Sequence, residues 1–356
     1  MSRLAVSIGC PCGVGPEVSL LGALAVPGTL LVGDVAAVKA AARVRGIAAA
    51  KVVRVLEPAF LGEERDGDTV FVWQPTETLA AADRTPGQPG RAAGAAQLAW
   101  IDAAMDLVRD GGADALVTGP VSKDAIARSG ARGAKKFRGH TEHLAARLGA
   151  SEVTMAFWTE RLTTSLVTTH LALKDVPAAI TKEEVARATY WTARFVHQLG
   201  AKGALAVAAL NPHAGEGGLL GDEERRVLAP ALRIARKRLA DDGVDVTITG
   251  PVPAETAFRL AASGHFAAVV AMYHDQATIP MKILGFGEAV NVSLGLPIIR
   301  TSVDHGTAYD RAGKGTADAR GMIEALGLAV RLGAVSVSGG AAGTARKRAT
   351  SKRSRT

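Results

Sequence analysis

Three of the eight histidines follow apolar, strand-like runs. His170 closes Thr164-Ser-Leu-Val-Thr-Thr, His213 comes soon after Ala204-Leu-Ala-Val-Ala-Ala, and His274 follows Val269-Val-Ala-Met-Tyr. In an open parallel sheet, ligands collect beyond the carboxyl ends of the strands, so imidazoles delivered there can share one site. Neutral imidazole is a ligand for divalent metals. Each histidine also has polar neighbours, Thr168-Thr169, Asn211-Pro212 and Asp275-Gln276, that can orient its second ring nitrogen. Taken singly, each could be an ordinary loop or capping histidine; the threefold repetition of one context favours a shared metal site.

Two further clusters carry the chemistry of anion binding. The stretch from Tyr273 to Asp318 contains Tyr273-His-Asp-Gln276, Lys282, Asn291, Arg300-Thr-Ser-Val-Asp304-His-Gly-Thr307 and Asp310-Arg-Ala-Gly-Lys-Gly315. The second joins Thr118-Gly-Pro-Val-Ser-Lys123 to Phe137-Arg-Gly-His140-Thr141-Glu142. A phosphorylated small substrate needs several charge-assisted donors at fixed angles, and Lys, Arg, Asn, Thr and His together supply them. Thr141-Glu142 also has a simpler reading, as the start of a helix from His143 to Leu148.

The elements that must position these residues are legible as an alternation. Short β-rich runs at Leu4 to Ile8, Leu30 to Val32, Val52 to Val55, Val70 to Trp73, Ala115 to Thr118 and Val153 to Phe157 precede the histidine strands. Between them, Ala92 to Val108, Lys182 to Gln198 and Asp222 to Ala240 repeat apolar residues every three or four positions, as amphipathic helices do. The pattern predicts an α/β fold with a mostly parallel sheet covered by helices on both faces. A single sheet of so many strands would be wide, so two sheets or a sheet with an inserted domain is expected. Glu63 to Gly94 is rich in Pro, Gly and Asp and reads as surface loops.

The first glycine loop imitates a dinucleotide fingerprint. Gly13-x-Gly15 lies between a strand and a helix, with Asp34 twenty-one residues after Gly13. The imitation fails at Val18, where close helix packing needs the third glycine, and at Pro16, which suits a first helical turn. Cys10 and Cys12 flank one proline, a spacing that strains a disulfide, and two thiols do not complete a structural zinc site. They read as small buried side chains beside a tight turn.

Composition bounds the rest. The 356 residues are enough for about two domains. The apolar runs break well before the ~18 residues a membrane span needs. The N-terminal apolar stretch is too short for a signal sequence and runs into a glycine loop, so a cytoplasmic protein is expected. The formal charge of +8 is concentrated at the end, where Arg346, Lys347, Arg348, Lys352, Arg353 and Arg355 follow the last acidic residue, Glu324. Residues 339–356 therefore read as a disordered basic tail on a nearly neutral body, without a specific nucleic-acid partner.

The strings Gly13-Val-Gly-Pro-Glu17, Val117-Thr-Gly-Pro-Val-Ser-Lys123, Gly139-His-Thr-Glu142, Val167-Thr-Thr-His-Leu-Ala-Leu-Lys-Asp-Val-Pro177, Leu210-Asn-Pro-His-Ala-Gly-Glu-Gly217, Gly250-Pro-Val-Pro-Ala254, Tyr273-His-Asp-Gln276 and Asp304-His-Gly-Thr-Ala308 resemble the 4-hydroxythreonine-4-phosphate dehydrogenase family of pyridoxal phosphate biosynthesis. The resemblance runs from about residue 4 to 326. It implies a two-domain α/β/α fold similar to isocitrate and isopropylmalate dehydrogenases, with the cleft between domains and an obligate homodimer. Residues 1–125 plus 276–338 would form the cofactor-side domain, and 126–275 the metal and dimer domain.

The resemblance places divalent-metal ligands on His170, His213 and His274, with His274 reaching across from the partner subunit. It places substrate binding on His140, Thr141, Lys282, Asn291 and Arg300. By analogy with the wider dehydrogenase fold, NAD or NADP would lie along Asp304, His305, Gly306, Thr307 and Asp310. The implied reaction is oxidation of a secondary 3-hydroxyl followed by decarboxylation. Imidazole ligands suit zinc or cobalt better than magnesium, although an open site accepts several metals. Adjacency alone nominates Asp275 as proton acceptor. The chain departs from the family at Cys10 and Cys12, where an acidic residue and Ala are usual, and at Glu255, usually Asp. A paralogue acting on a threonate or erythronate 4-phosphate, and a non-catalytic metal-dependent binding protein, are the competing readings.

Overall fold

The computed structural model describes residues 2–58 and 68–334. The predicted basic tail and part of the expected loop region after Glu63 lie outside the described residues.

The chain alternates strands and helices through its first half: β1 (Leu4–Ser7), α1 (Gly15–Ala25), β2 (Thr29–Val32), α2 (Val35–Val44), β3 (Val52–Val55), β4 (Val70–Trp73), α3 (Arg91–Arg109), β5 (Ala115–Thr118), α4 (Lys123–Arg128) and α5 (His140–Leu148). It continues through β6 (Thr154–Trp158), β7 (Thr163–Leu166), α6 (Val176–Ala179), α7 (Lys182–Gln198), β8 (Ala204–Ala208), α8 (Ala229–Asp241), β9 (Ile248–Val252), α9 (Ala254–Ala262) and β10 (Phe266–Ala271). Then follow α10 (His274–Gly285), β11 (Val290–Leu294) and β12 (Ile299–Val303), and a last helix over residues 320–334.

The mixed α/β class is as expected, but the sheet is not divided. All twelve strands hydrogen-bond into one sheet in the order β3-β4-β2-β1-β5-β12-β11-β6-β7-β10-β8-β9. Eight of its eleven pairings are parallel. The three antiparallel ones, β12 with β11, β11 with β6 and β6 with β7, adjoin one another at mid-sheet. The hairpin β11–β12 is therefore the seam that joins the parallel β3-β4-β2-β1-β5 half to the half that begins at β6, which is parallel from β7 to β9. Its polar residues Asn291, Ser293 and Arg300 gave it no strand signature in the sequence. The core divides along the same line. One apolar cluster packs around β1, β2 and β5, and two others sandwich the β7-β10-β8 half from its two faces.

Helix boundaries follow local chemistry. α7 starts where the Thr181 hydroxyl accepts from Glu184 N at 3.2 Å, the usual N-cap role of threonine. Pro16 occupies the first turn of α1, where its missing N–H costs nothing. Asp34 is buried at 0% exposure and caps α2, accepting from Ala37 N at 2.7 Å and Leu79 N at 2.8 Å. Both its oxygens serve the backbone, so the acidic residue of the false dinucleotide fingerprint has a purely structural use. Gly13 has one as well: a Cβ there would come within 2.6 Å of Thr307 O.

Candidate active site

Adjacent parallel strands carry the three histidines. β10 lies between β7 and β8, so His170, His274 and His213 leave the same edge of the sheet. His274 is the first residue of α10, and its ring centroid is 5.3 Å from that of His170. His213 stands on a turn in which His213, Ala214, Gly215, Glu216 and Gly217 all have positive φ. Left-handed backbone is costly for the non-glycine members and is held here by buried Glu224. The Glu224 carboxylate accepts from Leu210 N at 3.0 Å, Asn211 N at 2.8 Å and Asn211 Nδ2 at 3.0 Å.

Among the described residues no three His, Cys, Asp or Glu side chains converge within one chain to hold a metal. The donor chemistry of the adjacent pair nevertheless fits a cation. His274 Nδ1 lies 2.7 Å from Asp275 Oδ1 and 3.5 Å from Thr278 Oγ1, which leaves Nε2 for a ligand. Asp275, nominated from sequence as proton acceptor, is thus the carboxylate that orients His274.

A second group lies where β5, β11, β12 and α5 meet. The Arg300 side chain is 3% exposed, and its guanidinium donates to Thr118 Oγ1 at 2.7 Å, Ser293 Oγ at 3.0 Å and Asn291 Oδ1 at 3.1 Å. Ser293 Oγ is also 3.1 Å from Thr141 Oγ1. Two buried nitrogens here have no partner, Arg300 Nε and His140 Nε2. Burial lowers the Arg300 pKa to about 9, with Glu142 pulling the other way. Burial, together with the charges of Arg300, His143 and Lys123, holds His140 well below its ordinary value, so it is neutral at pH 7. His140, Thr141, Asn291 and Arg300 thus lie in one group.

Lys282 faces a different space. It lines a cavity of about 470 Å³ with Asp304, His305, Asp310 and Arg311, and Val14 and Ala308 are part of its wall. Burial raises the Asp304 carboxyl above its ordinary value, against the opposing pull of Lys282, His305 and His274. Asp304 therefore links this cavity to the histidine edge. Gly306 and Thr307 are not among the cavity's lining residues. Thr307 instead accepts from Val14 N at 2.9 Å, while Glu17 accepts from Gly313 N at 2.9 Å, so two bonds fasten the glycine loop to the 304–315 segment. Cys10 and Cys12 are buried as expected. Cys10 Sγ lies 3.6 Å from Tyr309 Oη, and Cys12 Sγ donates to Asp83 O at 3.1 Å.

Two residues escaped the sequence reading. Ser293 carried a legible signal, since it is two positions from Asn291 on one strand and so shares its face. Glu224 carried none, because its role depends on a loop fourteen residues away.

Comparison with known proteins identifies the family. A 4-hydroxythreonine-4-phosphate dehydrogenase of Geobacter metallireducens is 44% identical over 345 residues, 95% of this chain and 97% of the relative. A protein of Bradyrhizobium diazoefficiens, provisionally described as a D-threonate 4-phosphate dehydrogenase, is 39% identical over 93% of this chain and 97% of its own length. The crystal structure of 4-hydroxythreonine-4-phosphate dehydrogenase from Klebsiella pneumoniae superposes with a TM-score of 0.76 at 32% identity, covering 94% of this chain and all of that one. The family model for pyridoxal phosphate biosynthetic protein PdxA matches residues 26–329, and the chain belongs to that family.

Proposed function

We propose that this protein oxidises 4-phosphohydroxy-L-threonine at its 3-hydroxyl with NAD or NADP and releases carbon dioxide, giving 3-amino-2-oxopropyl phosphate. The observation that carries the reading is Arg300: a buried guanidinium bonded to neutral oxygens, beside a neutral histidine with a free buried nitrogen. Such a cation is stable and useful when an anionic substrate completes it. His140 and Thr141 take the same anionic end, and Asn291, whose oxygen serves Arg300, turns its amide hydrogens to the ligand. Lys282, Asp304, His305 and Asp310 line the separate cavity, which in this reading takes the rest of the substrate and the nicotinamide. When bound, a divalent cation on the histidines would supply Lewis-acid stabilisation of the reacting oxygen, and the nicotinamide would accept the hydride.

Because no three metal ligands converge among the described residues of one chain, where only His170 and His274 lie side by side, the metal site is proposed to be shared in a homodimer, with His274 supplied to the partner's His170 and His213. Exposed apolar side chains support a partner at this edge. Leu171 and Leu173 follow His170, Leu219 and Leu220 follow His213, and Ile279, Ile283 and Phe286 run along α10 from His274. No helix among the described residues is long and apolar enough to cross a membrane.

A panel of phosphorylated substrates tests the reaction. NAD(P) reduction is expected with 4-phosphohydroxy-L-threonine. A clear preference for D-threonate 4-phosphate would transfer the assignment to the second reading, which the Bradyrhizobium relative favours. No reduction with any candidate would refute both. The shared site has its own test. His213→Ala and His274→Ala should each lose metal and turnover as pure proteins. Mixed with subunit exchange, they should recover about a quarter of wild-type activity, because each two-fold heterodimer regains one intact site. No recovery despite exchange would place all ligands in one chain.

A further inference from the structure

We infer that Thr118 and Ser293 are positioning residues that hold Arg300 for the anionic end of the substrate while leaving its charge unspent. The inference rests on the proposed role of Arg300 as an anion-binding group and adds two residues that do not themselves bind the substrate. A guanidinium has five N–H donors in a rigid fork, and buried arginines ordinarily turn that fork toward a carboxylate. Here three neutral oxygens, from Thr118, Asn291 and Ser293, fix the plane of the fork, and Nε remains without a partner. Among the described residues no carboxylate forms an ion pair with Arg300. Neutral acceptors orient a cation without neutralising it, and Glu142 acts on it only through space, without an ion pair, so a ligand anion meets a largely unspent charge in a poorly solvated place.

The placement is set by the sheet. Ser302 on β12 is opposite Thr118 on β5, and Arg300 shares the face of Ser302 two residues away. On the other side, Asn291 pairs with Ser302 and Val292 with Thr301, so one more step sets Ser293 against Arg300. Arg300 is thus gripped from both neighbouring strands. Ser293 has a second use. Its oxygen accepts from Arg300 Nη1, and its own proton can go to Thr141 Oγ1 3.1 Å away, which frees the Thr141 proton for the ligand. One hydroxyl therefore sets the direction of a donor on α5 and of the cation on β12 together.

The test uses the full-length protein with Thr118→Val, Ser293→Ala, Ser293→Thr and the double variant T118V/S293A. Inorganic phosphate binding is followed by calorimetry, steady-state kinetics with 4-phosphohydroxy-L-threonine give KM and kcat, and melting temperature reports folding. T118V and S293A are each expected to weaken phosphate binding and raise KM about tenfold, with kcat and the KM for NAD(P) within about twofold of wild type. S293T, which keeps the hydroxyl, is expected to restore both, and the double variant to lose more than either single one. A folded T118V or S293A with wild-type phosphate affinity and KM overturns the inference, as does a wild type that binds no phosphate in the millimolar range. T118V is close to isosteric, so it keeps the test decisive if S293A fails to fold. If the wild type reduces no NAD(P) but phosphate affinity still falls in the variants, the proposed reaction fails while the positioning roles stand.

Discussion

Two arginines, Arg300 in the sheet at the seam and Arg187 on α7 against the sheet, are both largely buried and both bonded to strands or their ends, yet they are satisfied in opposite ways. Arg187 pairs with Glu184 Oε2 at 2.7 Å and donates to Val153 O, Thr154 Oγ1 and Val167 O, so its charge and its donors are used within the protein. Arg300 has neutral partners and a spare nitrogen. The same half of the molecule as Arg187 contains a second closed arrangement, Arg238 with Glu152 at 2.9 Å and Trp191 Nε1 on the same carboxylate at 2.9 Å. A paired arginine ties elements together, whereas an unpaired buried one is unfinished until a ligand arrives. Burial alone does not distinguish them; the partner's charge does.

The comparison breaks most sharply on activity. Arg300→Met should lower kcat/KM by about 30- to 5000-fold, since removing one partner of a desolvated charge pair costs about 2–5 kcal/mol. Its stability should stay within about 1 kcal/mol of wild type, because the variant also removes an unneutralised buried cation. Arg187→Met should do the reverse. Orphaning the carbonyls of Val153 and Val167, just before β6 and just after β7, is expected to cost about 2–4 kcal/mol in denaturant unfolding, with kcat/KM of the folded fraction unchanged. A large stability loss in Arg300→Met, or an inactive but stable Arg187→Met, would erase the distinction.

The smallest effect sharpens it by pH. Arg238 first, then Trp191, holds the Glu152 carboxyl below its ordinary value. The unfolded chain then binds this proton more readily than the folded one, so the pair stabilises above the ordinary carboxylate range and stops doing so as pH falls through the lowered value. Glu152→Gln should lose up to about 1 kcal/mol at pH 7, modest because the pair is partly exposed, and the gap to wild type should close in acid. A gap that persists at low pH would assign the loss to packing instead of charge.

Much of the scaffold was legible in the sequence because its signals are local. α7 was bounded correctly at Lys182 and Gln198, and the histidine strands β7, β8 and β10 were each bracketed by apolar runs. The seam was not legible, since β11 and β12 interrupt their apolar residues with Asn291, Ser293 and Arg300, which read as site chemistry. That β5 and β6 are bridged into one sheet is a long-range fact with no local trace. In the site, resemblance pointed to Arg300 and His140, but the neutrality of their surroundings depends on Thr118 and Ser293, brought from strands far apart in sequence.

The order in which the ribosome releases these strands gives the seam a kinetic meaning. β1 to β5 and β6 to β10 are complete before β11 and β12 exist, so both halves must wait with β5 and β6 as open edges facing no partner. Unpaired edges invite wrong pairing, between halves or between neighbouring chains on a polysome. The last hairpin closes both edges at once and delivers Arg300 in the same event. If Arg300 takes the anion as proposed, completion of the sheet and acquisition of anion affinity are one step, and a nascent chain stalled before residue 290 exposes both open edges and lacks the proposed anion site.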